Sequence, residues 1–196
     1  MKKLVFVFLI TLLSISLPHP KDIFAETTSE TNIYTVQKGE TYFQIALKLG
    51  VSELELMKLN PSNKKKLHHG EKLLIPETIS NKDRELLARL VHAEAKGESF
   101  AGKVAVASVV LNRVDHKHFP NSVKEVIYQE GQFQPVDNGA IHESAEALDK
   151  KAVTTALALK DQGDGALFFY NPEISESQWQ ASRTVTNVIG NHQFSK

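Results

Sequence analysis

At 196 residues the chain has room for one moderate domain or two small ones. Its 23 basic and 23 acidic residues cancel, so net charge argues for neither nucleic acid nor an acidic polymer as partner. There is no cysteine, which excludes disulfides, thiol catalysis and thiolate metal sites and leaves an exported chain to rely on its core alone.

The N-terminus has the pattern of an export signal over 1–25. Lys2 and Lys3 precede an apolar run from Leu4 to Leu17, Pro18 to Phe24 break it, and Ala25 offers a small residue for cleavage. The run is shorter than the roughly 20 residues a membrane span needs, so an uncleaved anchor is the alternative and the one route to a membrane. Residues 26–33 are polar and suit a linker.

From Tyr34 to Pro76 the pattern is strand, helix, helix, strand. Tyr34-Thr35-Val36 alternates, Lys38-Gly39-Glu40 turns, and Thr41 caps a short helix that ends at Gly50. Ser52 with Glu55 forms a capping box for the second helix, which Asn60-Pro61 ends. Leu73-Leu74-Ile75 closes the unit. Seven Lys against four acids give this stretch +3, whereas residues 83–196 carry twelve basic and fifteen acidic residues, −3; the asymmetry supports two units joined by a short connector at 77–82. Lys64-Lys65-Lys66 is expected to be a solvated loop.

The second unit, 83–196, is mostly helical, and the expected class for the chain is α+β. Its first helix places Leu86, Leu87, Leu90 and Val91 on one stripe, and one further turn arrives at Glu94 before Gly97 ends the helix. A carboxyl on the apolar side of a helix is costly to ionise, so its pKa rises, and a carboxylic acid protonated near neutrality is what a glycosidic oxygen requires of a general acid. The competing reading is an ordinary helical Glu paired with Arg89 or Lys96. Phe100 to Val114 is apolar nearly all round and should be central, with Arg113 placed for the negative end of its dipole. Ser122 to Tyr128 suits a short helix, Glu130 to Gly139 a loop or hairpin, Ser144 to Lys160 a further helix, and Ala166 to Tyr170 a strand. Trp179, the only tryptophan, is either a sugar platform or a core residue, with core the favoured reading, and His192 is expected to pack near the C-terminus.

Two resemblances then apply. Tyr34-x-Val36-x-x-Gly39-Glu40-Thr41, Ile45-Ala46, Leu56, Leu59-Asn60-Pro61 and Leu67-x-x-Gly70-x-x-Leu73-x-Ile75-Pro76 resemble a LysM module across nearly its whole length. The resemblance implies binding of glycans that contain N-acetylglucosamine, with contacts from Gly39, Glu40, Thr41, Asn60 and Pro61; the same residues also suit turn-building. Residues 83–196 resemble the spore-cortex-lytic and cell-wall hydrolase family. The match runs through Ala88-Arg89-x-Val91, Glu94-Ala95-x-Gly97-Glu98, Gly102 to Val114, Phe119-Pro120, Gln132-Phe133, Phe169-Tyr170-Asn171-Pro172, Trp179 and Gly190-Asn191-His192-x-Phe194. It implies a mainly helical, lysozyme-like domain with a short β-hairpin, acting as a lytic transglycosylase on peptidoglycan, with Glu94 the single catalytic acid. A secreted location in the cell wall or spore envelope and a monomeric state are implied as well.

Glu98 is the rival acid. It is expected in a more exposed turn than Glu94, with a capping or substrate-binding role. Gln132, Phe133, Tyr170 and Asn171 have the chemistry of sugar contacts, with loop and core packing as the alternative. A hydrolytic route would need a second carboxyl, for which Asp137, Glu143 and Glu98 are the candidates. His68-His69, His116-x-His118 and His142-Glu143 lack the helical spacing of a zinc protease site, and neither metal nor cofactor is expected. The departure at His92-Ala93, where relatives often carry a polar residue and Gly, motivates a second hypothesis: a wall-binding protein whose hydrolase domain has decayed. A metal-dependent amidase is the third.

Overall fold

The computed structural model describes residues 32–61, 66–174 and 178–196. The expected signal segment and the lysines at 64 and 65 lie outside these residues. The N-terminal module pairs β1 (Ile33–Thr35) antiparallel with β2 (Lys72–Leu74), Tyr34 opposite Leu73. Between them lie α1 (Tyr42–Leu49) and α2 (Glu53–Leu59). Thr41 forms a full capping box, accepting from the Gln44 N–H while the Gln44 side chain reaches back, whereas at Ser52 only the cap half of the expected box forms, Ser52 accepting from the Glu55 N–H. Gly50 ends α1 in the left-handed region at φ 64°, which a residue without Cβ adopts at no steric cost. Val36, Ile45, Ala46, Val51, Leu56 and Leu73 form its small core.

The C-terminal domain starts with α3 (Asn81–Glu94), capped by Ser80 and so reaching back into the stretch expected to be connector. α4 (Phe100–Asp115) and α7 (Ala147–Ala158) pack on it, and on each other. The smaller helices α5 (Val123–Ile127) and α6 (Gln134–Asn138) and a 3₁₀ turn (Ala140–His142) line the open side of α3. Leu87, Leu90, Val91, Val106, Val109, Val110, Ile127 and Ile141 are among its fully enclosed side chains. α6 corrects the expectation of a loop or hairpin over 130–139. Five residues are too few for a periodic signal, and Pro135 sits in the first turn, where its missing N–H is harmless.

The expected hairpin is present as β4 (Val185–Ile189) and β5 (His192–Ser195), and β3 (Phe168–Tyr170) adds to the other edge of β5, giving the order β3-β5-β4. The β4–β5 turn has two central residues. Gly190 has φ +59° while Asn191 is not among the positive-φ residues, the pattern of a type II′ turn with Gly first.

The two halves are packed together. Ala158 at the end of α7 is fully buried within the apolar cluster of the N-terminal module. The Arg84 guanidinium lies against the C-terminus of α1, donating to the carbonyls of Gly50 (2.8 Å) and Leu49 (3.4 Å) and to the Thr78 hydroxyl (3.0 Å). It thereby satisfies orphan carbonyls of that helix end. Gln162 and Lys160 add polar contacts to Glu53 and Glu55. Among the described residues no helix is long and apolar enough to cross a membrane.

Candidate active site

Glu94 is the last residue of α3. The apolar stripe that runs down the helix delivers it to the rim of the core, where it is partly buried. Its carboxyl has no hydrogen-bond or ion-pair partner among the described residues; neither Arg89 nor Lys96 takes it. Burial alone pushes its pKa up to about 7. A desolvated acid with no compensating charge is the arrangement that keeps a proton available near neutrality.

Glu98 occupies a different setting from the one expected. Its side chain is only 9% exposed, held against the β4–β5 turn. Oε1 accepts from the Asn191 amide at 3.2 Å and lies 3.9 Å from His192 Nδ1. A Cβ at Gly190 would overlap Oε2, so a larger residue there would be strained in φ and would displace the Glu98 carboxylate. Glu98 is therefore partly buried, as Glu94 is, and not held in an open turn. Folding of the C-terminal hairpin back onto the α3–α4 turn, from almost a hundred residues away, has no local sequence signal.

His92, two residues before Glu94, turns to the other side of α3. It is buried, with Nδ1 2.8 Å from Asp149 Oδ2 and Nε2 3.9 Å from Glu143. Asp149 is fully buried and also accepts from Lys103 Nζ at 2.6 Å and the Glu146 N–H at 2.9 Å. Burial raises the Asp149 pKa, but the bonds from Lys103, Glu146 and His92 outweigh it and hold the carboxyl below its ordinary range. This His–Asp–Lys cluster joins α3, α4 and α7, and nothing in the sequence spacing announced it.

The proposed sugar contacts divide. Gln132 is exposed. Phe133 is 3% exposed and belongs to the core, stacked near Phe169 at 6.5 Å. Tyr170 is half-buried, its hydroxyl 3.2 Å from Gln193 Oε1, and Asn171 accepts from the Glu173 N–H. Trp179 is 56% exposed, set edge-on to Phe168 at 5.2 Å; it is a surface ring, not the core residue expected. Arg113 lies in the last turn of α4, as expected, and its side chain turns inward. It donates from Nε to the Leu167 carbonyl and lies over the rings of Phe119, Phe133 and Phe168.

In the N-terminal module, Gly39 and Thr41 form the turn and helix cap, and Pro61 is exposed. The Asn60 side chain bridges α2 to β2, donating to the carbonyls of Leu56 and Leu74 and accepting from the Leu74 N–H. Glu40 accepts from the Tyr34 hydroxyl and the Gln37 N–H and lies 3.3 Å from Lys48 Nζ. Among the described residues no cluster of three His, Asp or Glu side chains could hold a metal ion.

The C-terminal domain thus joins a half-buried, partnerless carboxyl at a helix end to a small antiparallel sheet, and a βααβ module precedes it. The family description Cell Wall Hydrolase matches residues 97–195, starting three residues after Glu94, and LysM domain matches 34–76. The chain belongs to the cell wall hydrolase family and carries a LysM domain. It is 38% identical over 122 residues to a spore cortex-lytic enzyme of Bacillus cereus, covering 62% of this chain and 47% of that one. A spore cortex-lytic enzyme of Bacillus subtilis is 38% identical over 120 residues, covering 61% and 39%. The chain thus spans less than half the length of these relatives. The crystal structure of the catalytic domain of the Bacillus cereus SleB protein superposes with a TM-score of 0.58 at 39% identity, covering 62% of this chain and 94% of that one. The catalytic domain of a germination-specific lytic transglycosylase of Bacillus anthracis gives 0.57 at 37%, covering 62% and 100%.

Proposed function

We propose that the protein is an exported lytic transglycosylase that cuts the bond between N-acetylmuramic acid and N-acetylglucosamine in cell wall or spore cortex peptidoglycan, held to its substrate by the LysM domain. Glu94 is the acid. The observation that carries this reading is its carboxyl, half-buried, partnerless and with its pKa near 7. Glu94 gives its proton to the bridging oxygen, the anomeric centre becomes oxocarbenium-like, and the muramic acid's own C6 hydroxyl attacks. Glu94, now a carboxylate, takes that hydroxyl's proton. The substrate holds its own nucleophile, so no second carboxyl is needed to activate water. Of the carboxyls a hydrolytic route could recruit, Glu98 is tied to the Asn191 turn and Glu143 lies beside His92.

Glu98 acts in this scheme as the strut that sets the β4–β5 turn beside the site. Gln132, Tyr170 and Asn171 are assigned to substrate contact, as are Gly39, Thr41 and Pro61 in the LysM domain, while the committed bonds of Asn60 favour a bracing role. The names of the relatives support this reading of substrate and chemistry. The partnerless state of Glu94, and a His92 turned away toward Asp149, favour it over a decayed hydrolase. Mass spectrometry of digested peptidoglycan tests it. Wild type should release anhydro-muropeptides and Glu94→Gln none, with binding to the wall retained; equal release by Glu94→Gln would overturn it.

A further inference from the structure

None of the four arginines of the C-terminal domain has a carboxylate partner among the described residues, and two of them, Arg113 and Arg183, lie against one ring. Arg183 sits 3.7 Å from the Phe168 ring centre and 4.6 Å from that of Trp179. Arg113 lies 5.4 Å from the same Phe168 and about as close to Phe119 and Phe133. Arg113 is 5% exposed, with Nη1 sealed from solvent and given no acceptor; Arg183 Nε is likewise sealed without one. Buried donors left unpaired are costly, and native structures contain few. Burial draws the Arg113 pKa down to about 10, so it stays charged. Beside these cations Trp179 presents an exposed ring. Phe133, under Arg113, begins α6, which packs on the helix that carries Glu94.

A fixed guanidinium fork matches a carboxylate in two-pronged geometry, and an exposed indole suits the apolar face of a sugar or peptide. We infer that Arg183, backed by Phe168 and Arg113 and flanked by Trp179, forms a subsite for a carboxylate carried on the glycan strand's lactyl or peptide substituent. The inference rests on the proposed glycan-cleaving function and adds the feature of the strand that is recognised. Arg183 binds the anion. Arg113 is a positioning residue that fixes Phe168 beneath it and adds positive potential.

The test compares Arg183→Met, Arg183→Lys and Trp179→Ala with wild type, as full chains, on three soluble glycan preparations. One carries stem peptides, one has been stripped by an amidase so that only lactyl carboxylates remain, and one has its carboxylates blocked as methylamides. For Arg183→Met we expect KM to rise about tenfold or more on carboxylate-bearing strands, with kcat nearly unchanged, no change on blocked strands and partial recovery in Arg183→Lys. Wild type on blocked strands should behave like Arg183→Met. Trp179→Ala should raise KM on all three preparations. A larger effect on the first preparation assigns the anion to the peptide, and a larger effect on the second assigns it to the lactyl group. A KM for Arg183→Met that is unchanged throughout, or raised equally on blocked strands, overturns the subsite. Binding of the same strands to Glu94→Gln and to the double variant Glu94→Gln, Arg183→Met separates the two claims. Carboxylate-dependent binding without turnover in wild type would keep the subsite and remove the catalytic reading; binding that ignores both carboxylate and Arg183 would remove the subsite.

Discussion

Glu94 couples activity to stability through one proton. In the proposed mechanism its acid form does the chemistry, so kcat/KM should fall as pH rises through about 7. The same shift has a thermodynamic consequence. A folded-state pKa raised above the unfolded value means the native state holds the proton more tightly, so stability is fullest below the ordinary carboxyl range and declines as pH rises toward 7. Glu94→Gln should therefore be inactive yet more stable than wild type at pH 8, by about 2–3 kcal/mol, measured by urea unfolding at pH 5 and 8. An equal difference at both pH values would contradict this account. Asp149 behaves oppositely. Its lowered pKa contributes stability that is present at neutral pH and lost as pH falls through the acidic range. Lys103→Met would strand that buried carboxylate and should cost about 3 kcal/mol or more, visible as a lower denaturation midpoint at pH 7 and a smaller loss at pH 3.

At the scale of elements, what was legible followed local rules. The caps at Thr41 and Ser52, the stripe of α3 and the apolar α4 are written in near-neighbour spacing, and α1, α2 and α4 begin within a residue or two of their signals, whereas the Ser80 cap starts α3 inside the stretch expected to be connector. Glu94 was legible for the same reason, since helical periodicity alone brings it to the core's edge. Long-range placements were not legible. The buried Glu98, the inward-turned Arg113, the outward-facing Trp179 and the His92–Asp149–Lys103 cluster depend on which segments meet across the fold, and sequence distance gives no hint of that. The β4–β5 turn combines both kinds of information: its Gly-Asn pair is a local signal, while its contact with Glu98 is not. Gly190→Ala should cost about 1–3 kcal/mol, from strain at positive φ and from displacing the Glu98 carboxylate. It should also lower activity more than stability at 25 °C, which assays of kcat alongside thermal melts would reveal. Unchanged kcat would detach Glu98 from the site.

At the scale of the whole molecule, the LysM domain is packed on the hydrolase domain and shares a residue of its core with it. Arg84→Ala removes the guanidinium that closes α1 and should destabilise the junction by about 1–3 kcal/mol. Calorimetry should then resolve two transitions where wild type shows one, the lower belonging to residues 34–76.

An anchor on a slack tether would let a cutting site roam, and the pieces it freed would vary widely in size. Ala158 and Arg84 permit no such roaming, because under the proposed function the spacing between the gripped sugar and the severed bond is set by packed side chains. Chromatography of the earliest fragments should show one preferred chain length, and a Gly-Ser insertion after Glu77 should smear it into a broad distribution.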